Sequence, residues 1–214
     1  MPDNSGFIAT LLTWAVPTVF AIIVHEVMHG VVARAFGDDT AARAGRLSLN
    51  PVSHIDPVGT ILLPGLLIFL RLPVFGYAKP VPVNFQRLDP LRAGMVAVAA
   101  AGPLTNFGLA AASAFALRWM IHSPGLAAMA LAPAAARMLE ASVWVNVMLA
   151  VFNLLPLLPL DGGRVVAGLL PQSLAYRYAR LERYGFVILF LLLYMGWVGP
   201  LIYPVIRTIA GMLL

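Results

Sequence analysis

Hydrophobic residues come in long blocks along this chain, and the blocks set the elements. Uncharged runs extend from Asn4 to Val24, Ala93 to Leu117, Ala141 to Leu160 and Tyr184 to Ile206. Each is close to the roughly 20 apolar residues a helix needs to cross the hydrocarbon of a bilayer. The expected fold is an all-α polytopic membrane protein, a bundle of about four to six transmembrane helices, forming one domain over residues 1–214. The stretch from Pro57 to Leu70 is apolar but too short for an ordinary span, and Pro57, Gly59 and Pro64 interrupt it. A re-entrant or membrane-embedded loop fits it better. Next comes YAKPVPVN, Tyr77 to Asn84, where Pro80 and Pro82 forbid helix and predict an extended edge segment. The region 57–84 is therefore expected to be re-entrant or extended. Gly102 and Gly108 in AGPLTNFG supply small residues for close helix packing. Pro156 and Pro159 are expected to end the helix of the third run, and Pro200 and Pro204 to kink or stop the last.

Composition narrows the class. The chain is 61% hydrophobic and 11% charged, where a soluble domain carries about 25% charged residues. No basic segment precedes the first run, which leads straight into His25 and Glu26, so it is not expected to be a cleaved signal peptide. The net charge of +5 comes from scattered residues with no dense basic tract, which argues against nucleic acid as a partner. Most of the 14 Lys and Arg fall in three connections: Arg34 to Arg46, Arg71 to Arg92 and Arg164 to Arg183. The positive-inside rule makes those connections cytoplasmic and sets the first span with its N-terminus outside. The absence of cysteine leaves only nitrogen and oxygen to hold any metal.

Candidate chemistry begins at His25-Glu-Val-Met-His29. Two histidines four apart on a helix share one face and can present both imidazoles to one ion. In zinc peptidases with this spacing the glutamate is a general base that takes a proton from the attacking water, so Glu26 is the expected base. Placing His, Glu and His at the end of an apolar run costs several kcal/mol unless they are paired or coordinated.

Catalytic zinc takes three protein ligands and keeps one open position, so a third ligand is needed. Asp3, Asp38, Asp39, Asp56, Asp89, Glu140 and Glu182 fall in loops or at span edges. Asp161 closes an uncharged run and precedes Gly162 and Gly163. It is either that ligand or an N-cap for the helix after Gly163. If Pro57 to Leu70 is re-entrant, the spans bring His25, His29 and Asp161 to one leaflet; a full crossing there would put Asp161 on the other face.

HEVMHG and NLLPLLPLDGGR, with NPVSHIDPVGT, KPVPVN and AGPLTN between them, resemble the site-2 proteases, a family of intramembrane zinc metalloproteases. The resemblance covers most of the chain. It implies that Asp161 is the third ligand, that one Zn2+ is bound per chain, and that the substrates are transmembrane segments of other proteins. The apolar runs and the positive-inside rule add the expectation of a multi-pass cell-membrane protein in contact with lipid, with the active site toward the cytoplasm; beside relatives that carry PDZ or CBS domains, the chain looks like a minimal catalytic core.

Asn153 is a candidate for stabilising the developing oxyanion or holding the substrate, against a plain capping role. His54 is expected to be a loop histidine bonded to Asp56, and His122 is given no role. The extended segment Lys79 to Asn84 is expected to pair with an unwound substrate like an added strand. The competing class is a metal-dependent transporter or silent scaffold, because intramembrane His and Asp also line ion pathways. No inverted repeat supports it.

Overall fold

The computed structural model describes residues 4–72 and 76–214, and among these the regular structure is entirely helical. Three helices are long and apolar enough to cross a membrane: α1 (Asn4–Ala35), then, after the short α2 (Leu63–Phe69), α3 (Leu91–His122) and α4 (Ala132–Asn153). Beyond them lie α5 (Asp161–Leu169), α6 (Gln172–Ala179), α7 (Glu182–Tyr194) and α8 (Val198–Leu213). Bilayer-facing chemistry is visible on α1, where Ile8, Leu11, Trp14 and Phe20 lie about half exposed. Its threonines return their hydroxyls to the helix, Thr10 to Gly6 O at 2.9 Å and Thr18 to Trp14 O at 2.7 Å, so these hydroxyls are not left unpaired in an apolar setting.

The three long helices pack on one another through small residues. On α3 the buried positions Gly94, Val98, Gly102, Asn106, Ala110 and Ala114 recur every four residues, a ridge that α1 and α4 can approach closely. At one end of the bundle Ala110, Ala114, Val143 and Val147 form an apolar core closed by Ile206 and Ala210 of α8. At the other end lie the histidines of α1.

Among the described residues of region 57–84, helical turns are followed by non-helical chain. A π-helical turn, Pro57–Leu62, runs into α2, and Asp56 caps it by accepting from Val58 N at 2.9 Å and Gly59 N at 2.7 Å. Residues 76–84 are non-helical backbone lying beside that turn, with Tyr77 N donating to Gly59 O at 3.1 Å and Thr60 Oγ1 to Tyr77 O at 3.0 Å. As the prolines predict, Pro80 and Pro82 lie in non-helical chain.

The last hydrophobic run differs from expectation. Neither Pro200 nor Pro204 breaks it; the chain turns by 81° between α7 and α8, where Gly196 takes a positive φ of 72°. Glycine pays no Cβ penalty in that left-handed conformation, so the bend falls on it, while Pro200 sits in the first turn of α8, where a missing N–H is harmless.

Asp38 ties these parts together. It follows Gly37, whose φ of 96° ends α1, and it is fully buried. Its carboxylate accepts from Thr40 N at 3.1 Å, from the Thr40 hydroxyl, and from Asn84 N at 2.7 Å, which fastens the far end of the extended segment to the end of α1. Burial alone would raise its pKa, but the hydrogen bonds from Thr40 and Asn84 outweigh burial and, with the Arg87 charge, hold it below 3.8. A lowered carboxylate pKa contributes stability at every pH above the unfolded value and loses it as pH falls through the folded one. Asp38→Ala should therefore cost about 2 kcal/mol at neutral pH. In thermal unfolding of the detergent-solubilised protein, the gap from wild type should close as pH drops below 3.8; a gap unchanged by acid would contradict this account.

Candidate metal centre

His25 and His29 lie one turn apart on α1, 6% and 9% exposed, with ring centroids 4.7 Å apart. Asp161 opens α5 directly after the loop that follows α4, in the first turn, where the helix dipole favours a carboxylate. The helix starts at Asp161 itself, with Leu160 at the N-cap position, so Asp161 is not the cap of a helix beginning after Gly163. Its Oδ2 lies 3.1 Å from His25 Nε2 and 3.4 Å from His29 Nε2, and one ligand atom from each of the three residues falls within 4.8 Å of the others.

The hydrogen bonds behind the rings decide what these atoms are. His29 Nδ1 lies 2.7 Å from Val98 O, a carbonyl that can only accept, so Nδ1 carries a proton and, in the neutral ring, Nε2 keeps a lone pair. His25 Nδ1 lies 2.6 Å from Asn106 Oδ1, with the same consequence. With both rings neutral, two bare nitrogens and a carboxylate oxygen converge, and no hydrogen bond is assigned to the buried Asp161 Oδ2. Such a set repels itself unless a cation or a shared proton sits among it. Two nitrogens and one oxygen suit zinc, with a fourth position left open.

The backbone makes room for this cluster at Gly102. A Cβ there would sit 2.5 Å from His25 Nε2 and 2.6 Å from His29 Nε2. Gly162 and Gly163 do the same for the Asp161 loop, since a Cβ would meet Leu154 O at 2.2 Å and Leu158 N at 2.5 Å.

A cavity of about 1000 Å3 opens over the cluster, lined among others by Glu26, His54, Tyr77, Val81, Asn153 and Phe186. Glu26 Oε2 accepts from Val81 N at 3.0 Å, so the extended segment fixes one carboxylate oxygen. Arg46 steadies the same segment through Lys79 O at 2.7 Å, and Lys79 N donates to His54 O at 2.9 Å. Asn153 reaches the cavity wall with one amide hydrogen committed to Leu149 O at 2.9 Å.

His54 departs from expectation: its partner is Ser48 O at 2.8 Å, not Asp56, whose Oδ1 accepts from Val58 N and Gly59 N of the next turn. His122 bonds to Arg118 O at 2.7 Å, away from the cluster.

A sequence comparison settles the family. The Bacillus subtilis (strain 168) protein YwhC, which carries a provisional zinc metalloprotease name, is 37% identical over 193 residues, covering 89% of this chain and 84% of YwhC. The family model of Peptidase family M50 matches residues 118–195. This chain belongs to Peptidase family M50, the site-2 protease family. It is a membrane metalloprotease, and zinc is its cofactor. No solved structure matches this M50 chain significantly.

The site residues that sequence reading passed over are Asn106, Gly102 in its contact with the imidazoles, and the Val98 carbonyl. The Asn106 signal was present as an amide inside an uncharged run; the carbonyl leaves none. Gly102→Ala should weaken zinc binding by at least about tenfold in chelator competition. Gly108→Ala, whose Cβ meets nothing within 4 Å, should leave zinc binding unchanged. Equal affinities for the two variants would refute the cradle.

Proposed function

We propose that this chain is a single-domain intramembrane zinc endopeptidase of the site-2 type that cuts transmembrane segments of other membrane proteins. The carrying observation is the convergence of His25, His29 and Asp161 beside Glu26 on a cavity set among apolar helices. In this reading His25, His29 and Asp161 hold the metal. When bound, zinc supplies a Lewis acid that polarises the scissile carbonyl and makes water acidic enough to attack near neutral pH.

Glu26 is the general base. With Oε2 held by Val81 N–H, its other oxygen is left to take the proton from the attacking water and pass it to the leaving amine nitrogen. Asn153 has a second amide hydrogen to offer the carbonyl oxygen as negative charge builds there. The basic connections orient the protein as a multi-pass cell-membrane enzyme with this end of the bundle toward the cytoplasm.

Hydrolysis needs an extended substrate, because a helix hides its carbonyls in internal hydrogen bonds. Residues 76–84 offer an edge for it. The N–H of Val81 is occupied by Glu26, whereas the N–H of Ala78 makes no hydrogen bond among the described residues. A test of strand pairing therefore belongs at Ala78: Ala78→Pro should reduce cleavage at least about tenfold with zinc retained, and unchanged cleavage would refute the pairing.

The decisive assay is cleavage of a model transmembrane substrate by purified protein in liposomes. Glu26→Gln should retain zinc and lose about two to four orders of magnitude in rate. His25→Ala should lose both zinc and activity. Full activity in Glu26→Gln would overturn the assignment.

A further inference from the structure

Asn106 on α3 and Asn146 on α4 are 0% and 1% exposed, inside spans where an unpaired amide is costly. They form a chain that starts at a metal-site histidine and ends on backbone. His25 Nδ1 meets Asn106 Oδ1 at 2.6 Å; Asn106 Nδ2 donates to Asn146 Oδ1 at 2.8 Å and faces Ala21 O at 3.4 Å. Asn146 Nδ2 donates to Ser142 O at 2.9 Å and lies 3.2 Å from Ser142 Oγ, which in turn meets Ser113 Oγ at 2.8 Å.

The direction of this chain is locked at two points. Ser142 O and Ala21 O are carbonyls and accept only. Turning the Asn146 amide over would put oxygen against Ser142 O and leave Asn106 Nδ2 facing a second NH2 group. Turning Asn106 over would put oxygen against both Ala21 O and Asn146 Oδ1. It would also aim an NH2 at His25 Nδ1, which would then have to accept, sending the imidazole proton to Nε2, the atom that faces Asp161. One amide flip converts His25 from a lone-pair ligand into a donor.

We propose that Asn106 and Asn146 are positioning residues that hold His25 with its proton on Nδ1 and its Nε2 lone pair presented to the metal. The proposal rests on the reading of His25 as a metal ligand. His29 reaches the same state through the Val98 carbonyl, which no side-chain substitution on this chain of amides removes, and so serves as an internal control.

The test uses the full chain in detergent, metal-free and above the imidazole titration range, with nitrogen-15 histidine NMR for the tautomers and chelator competition for zinc. Wild type should show both His25 and His29 protonated on Nδ1. Asn106→Leu should shift His25 toward the Nε2–H form, leave His29 unchanged, and weaken zinc roughly 10- to 100-fold. Asn106→Asp keeps an acceptor for Nδ1–H while breaking the link to Asn146, so it should retain the wild-type tautomer and most of the zinc affinity; a purely structural role would be damaged at least as much by that buried charge. Asn146→Leu frees the Asn106 amide to turn and should give a mixture at His25 alone.

An Nε2–H form of His25 in wild type overturns the proposal, as does an Asn106→Leu protein with unaltered tautomer and affinity. If Asn106→Leu fails to fold, seen as loss of the His29 signature too, the wild-type spectrum and Asn106→Asp decide. If His25→Ala binds zinc undiminished, the ligand reading fails while the tautomer result still stands by itself.

Discussion

Three acceptors pointed at one another inside an apolar bundle constrain everything else in this molecule. His25 Nε2 and His29 Nε2 lie 3.1 and 3.4 Å from Asp161 Oδ2, with the Nδ1 protons of both rings committed elsewhere. In water such a set would be screened and weakly repulsive; among helices of low dielectric, neutral rings tolerate it only around a cation. The close passage of α3 by α1, the glycine at position 102, the two glycines after Asp161 and the asparagines behind His25 all make sense as conditions for that one arrangement.

On the proposed reading, the second constraint is that the site must admit an extended chain. Residues 76–84 meet it with non-helical backbone, where Pro80 and Pro82 remove the donors a helix needs. That backbone is fixed at both ends, by Gly59 and Thr60 near Tyr77 and by Asp38 at Asn84. It also holds Glu26 through Val81 N–H, so the segment that borders the cavity and the carboxylate beside the cluster are mechanically linked.

Much of this was legible from residues. Long uncharged runs placed the three continuous spans, because hydrocarbon thickness dictates their length, and the proline pattern placed the extended segment. The HEVMH spacing and the lone aspartate before two glycines singled out the residues that the fold brings together. Three things were not legible. The bend in the last run falls at the positive φ of Gly196 and not at Pro200, which sits in the first turn of the following helix, where a missing N–H costs nothing. His54 lies against Ser48 O while Asp56 caps the next turn, a choice of partners that spacing does not reveal. Asn106 and Asn146 were hidden because counting charges along a span overlooks amides, although a buried amide carries the same demand for a partner.

The most direct measurement is zinc K-edge X-ray absorption on the purified, zinc-loaded protein. The account predicts one zinc per chain with two imidazole nitrogens and carboxylate or water oxygen at about 2.0–2.2 Å, and no sulfur. A spectrum lacking imidazole scattering, or a protein that binds no zinc when fully folded, would contradict it.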